Sequence, residues 1–307
     1  MNENGENEHV VKGADAWLAR RLLEPAVTAD FATLAELWRR TVITFECAPP
    51  EGLEDGFWMV KALRGAWGRR LMAASEQWHR APPFGRPDPL AAFFGEHVRI
   101  GANHVPRPFV VAAGRRHGRV IIQLTLFGFA DVWRDDAIET FIAALELGVS
   151  LSERGRLRRP WPVIDWHWHQ EELLALPPAR HVAFVHLETP TKVGGSRSAR
   201  SSYADLVLGL AIRIKGLARW QGVRIDLDNR TLKSMTRGIR GAPSAPRPAA
   251  GYLKWSSASP ERPTFVFGSL TPFFLENIPE ELWPALVIGQ TCSAGANTIF
   301  GFGKYTV

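Results

Sequence analysis

The sequence has few cysteines and no long apolar runs, and each shortage excludes a class of protein. Cys47 and Cys292 are the only two cysteines among 307 residues, too few for a disulfide framework or the paired-cysteine spacing of a zinc site. No apolar run reaches the roughly 18 residues that a membrane-spanning helix needs. The first nine residues are polar and acidic, unlike a secretory signal. We therefore expect a cytoplasmic protein with reduced thiols and no membrane partner.

Positive charge is concentrated in the second half of the sequence. The whole chain carries a net charge of only +6, but residues 191–255 hold thirteen Lys and Arg against three acids, a local charge of +10 that leaves −4 for the rest. Such a concentration is typical of proteins that bind a polyanion, and nucleic acid is favoured over a membrane surface, which usually takes its cations along one amphipathic helix. A solubilising basic face is the alternative.

The order of predicted strands and helices repeats once along the chain. In the first half, strands are predicted at 40–45, 108–112 and 120–127, and helices at 56–75 and 135–147. In the second half, strands are predicted at 181–187, 251–255 and 264–270, and helices at 203–220 and from 277 onward. This order predicts an α+β fold of two tandem ferredoxin-like βαββαβ units, with a basic cleft between their sheets.

Prolines suggest how the chain divides. Pro177 and Pro178 interrupt both the strand and the helix patterns. We expect a polar N-terminal tail with a short helix at 1–30, a first ferredoxin-like domain at 31–176 and a second at 177–307. The proline-rich stretch 238–251 is predicted to be a basic insertion that orders on a ligand, with a plain surface loop as the alternative.

The last stretch of the chain combines glycines with a cation. Four glycines precede Lys304 and the predicted final strand: Gly289, Gly295, Gly301 and Gly303. Because glycine adds no Cβ and accepts positive φ, such a loop lets backbone N–H groups approach an anion. The position differs from that of a dinucleotide or Walker loop, which lies between a strand and the helix that follows it. A helix C-cap followed by a glycine-relieved strand is the alternative.

Four stretches follow one another in an informative order: Lys61–Arg69 in the first helix, Leu124–Gly128, Leu187–Lys192 and the terminal Phe300–Tyr305. In that order they resemble the RAMP-superfamily endoribonucleases that process CRISPR precursor RNA. The resemblance implies tandem ferredoxin-like domains, a repeat RNA that is often a stem-loop, other CRISPR effector subunits as partners and no cofactor. It also implies a single metal-independent cut, in which a ribose 2′-OH attacks the adjacent phosphate and leaves a 2′,3′-cyclic phosphate.

The sequence departs from that family at the usual general base. Typical members carry a histidine near the first strand and helix, assisted by Lys or Tyr, but no histidine lies within residues 41–77. The first helix offers Lys61 and Arg64 instead, on a face shared with Gly65 and Gly68 that an RNA backbone could approach closely. Arginine stays protonated, so Arg64 could hold the scissile phosphate but would be a poor base. A solvated helix face is the alternative for both cations.

Histidines elsewhere could replace the missing base. His79, just beyond the first helix, and His104, before a predicted strand, are the candidates, and an ordinary surface histidine is the alternative for each. Asp165, His167 and His169 share one face of a predicted strand, as metal ligands or a coupled acid and base would. No further ligand completes such a site, so we predict no metal.

The resemblance thus implies an endoribonuclease that cuts CRISPR repeat RNA, with a non-catalytic RNA-gripping subunit and a general RNA-binding protein as alternatives. Two tryptophans of the basic segment, Trp220 and Trp255, could stack on bases. The remaining predicted RNA contacts are Lys192, Arg197, Arg200, Arg230, Lys233, Arg237, Arg240, Arg247, Lys254, Gly289, Gly295, Gly301, Gly303 and Lys304.

Overall fold

A computed structural model describes residues 8–56, 58–78, 87–152, 157–172, 176–189, 191, 203–244, 249–256, 259–293 and 303–307. Its helices are α1 (Ala16–Leu23), α2 (Phe31–Leu37), α3 (Trp58–Trp78), α4 (Pro89–Phe94), α5 (Arg134–Leu147), α6 (Tyr203–Ala218), α7 (Asn229–Thr236) and α8 (Trp283–Cys292). Within these ranges, none of the helices is both long and apolar enough to cross a bilayer.

The strands of the first half are β1 (Glu8–Val10), β2 (Val27–Ala29), β3 (Arg39–Cys47), β4 (Val98–Ile100), β5 (Asn103–His104), β6 (Phe109–Arg116), β7 (Arg119–Phe127), β8 (Val149–Ser150), β9 (Arg158–Arg159) and β10 (Val163–Glu172). Those of the second half are β11 (Val182–Leu187), β12 (Val223–Ile225), β13 (Arg240–Pro243), β14 (Ala249–Ser256), β15 (Ser259–Ser269), β16 (Phe273–Glu276) and β17 (Tyr305–Thr306).

Two four-stranded sheets share one topology. The first has the order β10-β3-β7-β6 and the second the order β13-β16-β11-β17, and all of their pairings are antiparallel. In both sheets the first and third strands of a βαββαβ unit lie in the centre and the second and fourth lie at the edges. The prediction of an α+β fold with two tandem ferredoxin-like units is confirmed. The domain limits given above stay a prediction.

Helices α3 and α5 cover one face of the first sheet. The apolar side of α3 is fully buried, with Leu63, Trp67 and Leu71 at most 1% exposed. The Trp67 ring contacts Phe141 of α5 at 5.6 Å between ring centroids, and its Nε1 donates to Thr140 Oγ1 at 3.0 Å. The other face of this sheet is therefore left free to border the second domain.

Two strands of the second sheet lie elsewhere than the sequence predicts. The expected strand at 251–255 lies in β14, and the one at 264–270 coincides with β15 as far as Ser269; β14 and β15 form a separate two-stranded sheet. The sheet instead takes β13 and β16. The sequence does not predict strand β13, because Arg240–Pro243 falls in the proline-rich stretch that was expected to be an insertion. Proline is tolerated there because β13 is an edge strand and need not donate on its free side.

Several cations of the basic segment are structural. The side chain of Arg219 is only 2% exposed and its Nη2 pairs with Glu8 of β1, whose other oxygen lies 3.4 Å from Arg224. Buried Lys215 donates to the Leu227 carbonyl at 2.7 Å, and Arg213 donates to the Cys292 carbonyl at 3.2 Å. The local charge of +10 therefore overstates the charge that a ligand meets.

Both cysteines are expected to be unreactive in the folded protein. Burial raises the pKa of Cys47 to about 12, helped by the neighbouring Glu46, and burial raises the pKa of Cys292 to about 11. Since the thiolate is the nucleophile, we expect the disulfide reagent DTNB at pH 8 to titrate almost no thiol in the native chain and two after unfolding in guanidinium. If the native chain rapidly released one equivalent of the coloured DTNB product, one of the two cysteines would have to be accessible, which would contradict its burial.

Candidate nucleic-acid interface

A groove of about 540 Å³ lies between the two domains. Its floor is the open face of the first sheet, with Gln123 and Thr125 of β7, and its wall is the end of α8, with Thr291 and Ser293. The cations that line it are Arg40, Arg115, Arg116 and Lys304. Three of them form ion pairs: Arg40 with Glu171, Arg115 Nε with Asp55 Oδ1 at 2.8 Å, and Lys304 Nζ with Glu188 Oε2 at 2.7 Å. The groove is therefore polar and only moderately basic.

The glycine-rich stretch begins and ends at this groove. Ser293 and Lys304 both line it, whereas Gly295 and Gly301 lie outside the described residues. Gly303 has φ of +86° and is buried, a backbone position that favours glycine. The peptide group between Gly303 and Lys304 is held in place because Lys304 N donates a hydrogen bond to Thr189 Oγ1 at 2.8 Å.

Gly289 has a different role from the other glycines of this stretch. It lies inside α8, and a Cβ at this position would come within 2.2 Å of Tyr305 Oη and 2.7 Å of Leu210. The expectation that Gly289 opens a loop and contacts RNA is wrong. Glycine is needed there so that α8 can pack closely against β17 and α6.

Exposed cations form a ridge along α7 and into β13. Arg230, Lys233 and Arg237 follow one another at spacings of three and four residues, which places them on one side of α7, and Arg240 continues the row at the start of β13. All four are exposed, and none is part of an ion pair between described residues, although the Arg230 charge acts on the nearby Asp228 carboxylate. The opposite side of α7 holds the buried Leu232. We call these four residues the basic ridge.

The cations of α3 lie beside α4. The Arg64 guanidinium is 5.1 Å from the centre of the Phe94 ring, and Arg107 is 5.7 Å from the same ring. A Cβ at Gly68 would come within 3.1 Å of Phe94, so the expectation that this glycine leaves room for an RNA backbone is wrong. Neither Lys61 nor Arg64 is among the residues that line the groove.

The remaining predicted residues are scattered. His104 accepts a hydrogen bond from Arg99 Nε at 2.8 Å and is 3.4 Å from Glu96, outside the groove. Trp220 is 2% exposed and its Nε1 donates to the Pro106 carbonyl at 2.9 Å, so its predicted stacking on bases is wrong. Lys254 and Trp255 lie in β14. Besides Gly295 and Gly301, the predicted residues outside the described ranges are His79, Lys192, Arg197, Arg200 and Arg247.

His169, Glu171 and Arg40 form a hydrogen-bonded series of side chains that ends at the groove. His169 Nε2 is 2.7 Å from Glu171 Oε1, and Glu171 Oε2 pairs with the groove residue Arg40. Burial opposes ionisation of Glu171, but the hydrogen bond from His169 and the charge of Arg40 outweigh it and lower the pKa of the carboxyl. The sequence indicated His169 by its alternation on β10, but Glu171 and Arg40 were not expected to join it.

The position of His169 across the sheet follows from the strand register. His169 pairs with Val42, and Val42 pairs with Thr125, which lines the groove. Two strand spacings separate His169 from Thr125, or about 10 Å. Asp165 is not part of this hydrogen-bonded series, since its carboxylate accepts a hydrogen bond from the Trp166 amide at 2.8 Å. Among the described residues, no group of three His, Cys, Asp or Glu side chains could hold a metal ion.

Comparisons with known proteins bear on the fold. No protein-family model and no curated protein sequence matches the chain. The product complex of a Thermus thermophilus Cas6 (TTHB231) superimposes with a TM-score of 0.53 and 14% identity, over 87% of this chain and 98% of that one. The product complex of a second Cas6 (TTHA0078) gives 0.53 and 13% over the same shares. The chain therefore has the tandem ferredoxin-like fold of these Cas6 structures, the architecture that its resemblance to the RAMP-superfamily endoribonucleases implies.

Proposed function

We propose that this chain binds CRISPR repeat RNA, cleaves it once without a metal ion and retains the product within an effector complex. The observation that carries the binding proposal is the basic ridge, because exposed cations without ion-pair partners in the described chain release counterions from RNA when they contact phosphates. The shared fold supports it, since the two superimposed Cas6 structures are product complexes. The cations and glycines predicted from the sequence, except Gly289, remain proposed contacts.

Cleavage of this kind requires a base and a cation from the protein. A base removes the proton of the ribose 2′-OH, the 2′-oxygen adds to phosphorus to form a phosphorane, and the bond to the 5′-oxygen then breaks as that oxygen takes up a proton from solvent. The dianionic phosphorane between these steps needs a nearby cation.

His169, Glu171 and Arg40 form the arrangement that meets these needs best. His169 can accept the 2′-OH proton, Glu171 orients the imidazole as a hydrogen-bond partner, and Arg40, although paired with Glu171, presents guanidinium N–H donors at the groove. The candidates Lys61, Arg64, His79 and His104 stay as alternatives, with Arg64 restricted to holding phosphate.

The test is incubation of the purified chain with a repeat transcript in EDTA. We expect one site-specific cut with a 2′,3′-cyclic phosphate end. His169→Ala should slow single-turnover cleavage by about 10²- to 10⁴-fold and leave RNA affinity within about twofold, because a general base adds little to binding. The matched control is His167→Ala, an exposed histidine on the same strand without the Glu171 contact, which should keep the rate.

Two outcomes would contradict the assignment to His169. Equal rate losses in His167→Ala and His169→Ala would point to disruption of the strand. A rate loss confined to Arg64→Ala or His104→Ala would move the catalytic site to that residue.

A non-catalytic RNA-gripping subunit is the second candidate function. The observation in its favour is that no histidine is among the described residues that line the groove. It predicts tight binding of the repeat transcript in the same assay, with no cleavage after prolonged incubation with or without added Mg²⁺.

A further inference from the structure

The outer face of the second sheet exposes two phenylalanines side by side. Phe184 of β11 and Phe274 of β16 are register partners, 46% and 43% exposed, with their ring centroids 4.9 Å apart at an angle of 51°. Val182 beside them is 53% exposed. The alternate residues of the same strands, Val185 and Leu275 among them, are buried, so the core of the domain does not need these two rings.

The first sheet shows that the fold does not require aromatic side chains at such positions. Its open face carries Val42, Thr44, Gln123 and Thr125 on the corresponding central strands β3 and β7. An exposed aromatic pair at the centre of a sheet is unfavourable in water, because about 25 cal/mol of stabilising free energy is forgone for each Å² of apolar surface left unburied. Such a patch marks a binding surface.

One cation and one imidazole border this aromatic pair. Arg240, the last residue of the basic ridge, lies on the edge strand β13 next to β16, and His186 follows Phe184 on the same face of β11. One acid, Glu276, lies opposite Arg240 in the register, where a carboxylate can accept from the amino group of a base. The face therefore suits a ligand with both negative charge and flat rings.

We propose that Phe184 and Phe274 are a stacking platform for bases of single-stranded RNA. The basic ridge binds the phosphates of the same RNA strand and so guides that strand onto the sheet. Aromatic side chains on the two central strands of a four-stranded antiparallel sheet stack bases in this way in RNA-binding domains. The inference rests on the proposed RNA binding and adds a second contact surface, separate from the groove, for unpaired nucleotides next to the repeat hairpin.

The experiment compares two double variants of the full chain. Fluorescence anisotropy measures the Kd for a repeat hairpin with and without a single-stranded flank, at several salt concentrations. Replacing both rings, Phe184→Leu with Phe274→Leu, should weaken binding of the flanked hairpin by about ten- to a hundredfold and leave the salt slope unchanged, because no phosphate contact is lost. The control, Phe184→Tyr with Phe274→Tyr, keeps both rings and should bind within about twofold of wild type.

The outcomes separate this inference from the proposed function. Failure of the wild-type chain to bind either RNA would overturn both. Equal binding of the flanked hairpin by the leucine variant and wild type would overturn the platform alone. A wild-type dimer in light scattering that the leucine variant loses would assign the face to a second copy of the chain. Photocrosslinks from 5-iodouridine in the flank to the peptides of Phe184 and Phe274 are the expected positive result.

Discussion

Replacing all four residues of the basic ridge by alanine is expected to lower the affinity for repeat RNA about a hundredfold at about 0.1 M salt. Each lost phosphate contact also removes about 0.7 to 0.9 from the slope of log K against log salt, so the slope should fall by about three. The four side chains are exposed and face away from the core, so the stability of the folded chain should change little.

Charge-conserving variants provide the control for this experiment. Arg230→Lys, Arg237→Lys and Arg240→Lys together retain the ridge charge and should keep most of the affinity and the full slope, since a phosphate accepts lysine as a point charge. The readout is anisotropy of a labelled repeat transcript between about 50 and 200 mM salt, the range in which such contacts weaken most. A lower affinity with an unchanged slope in the alanine variant would contradict phosphate contacts on the ridge.

Replacing Glu8 by alanine is expected to reduce the free energy of unfolding by about 3–5 kcal/mol. Its carboxylate pairs with Arg219, whose side chain is 2% exposed, and lies 3.4 Å from Arg224. Removing the carboxylate leaves the Arg219 charge buried with carbonyl oxygens such as that of Leu22 at 3.4 Å as its neighbours. Breaking one side of a buried pair is destabilising because the remaining charge has lost its hydration without compensation.

A surface ion pair provides the comparison for Glu8. Glu24 pairs with Arg20 one helical turn away, and their side chains are 66% and 79% exposed. Because water and salt screen such pairs, Glu24→Ala should change the unfolding free energy by less than about 1 kcal/mol. Urea denaturation followed by tryptophan fluorescence measures both variants. Similar midpoints for Glu8→Ala and Glu24→Ala would show that the Glu8 pair is no more than a surface contact.

The sequence predicts the fold best where periodicity extends over many residues. The apolar spacing of Leu63, Trp67 and Leu71 gives the buried side of α3, and the β-branched runs give β3 and β7. Strand β13 has only four residues and ends in Pro243. Its place in the sheet depends on β16, whose paired residues lie thirty or more positions away in the sequence, and local propensity carries no information about such a partner.

The candidate site is harder to predict, because charge counts do not distinguish buried cations from exposed ones. Arg219 and Arg230 look equivalent in a list of basic residues, but the partner of Arg219 is Glu8, 211 positions away. Phe184 could have been recognised from the sequence as a candidate binding residue. It alternates with the buried Ala183 and Val185 on β11, which places an aromatic ring on the face where a polar residue is usual.

The parallel pairing of β2 with β12 determines how the molecule would respond to mechanical load. Val27 N donates to the Gly222 carbonyl at 3.2 Å and Asp226 N donates to the Ala29 carbonyl at 3.0 Å. These peptide groups join the segment before the first sheet to the strand that leads directly into α7. Tension on an RNA strand held by α7 would therefore pass into the first half of the chain through main-chain hydrogen bonds, and both halves would bear the force together.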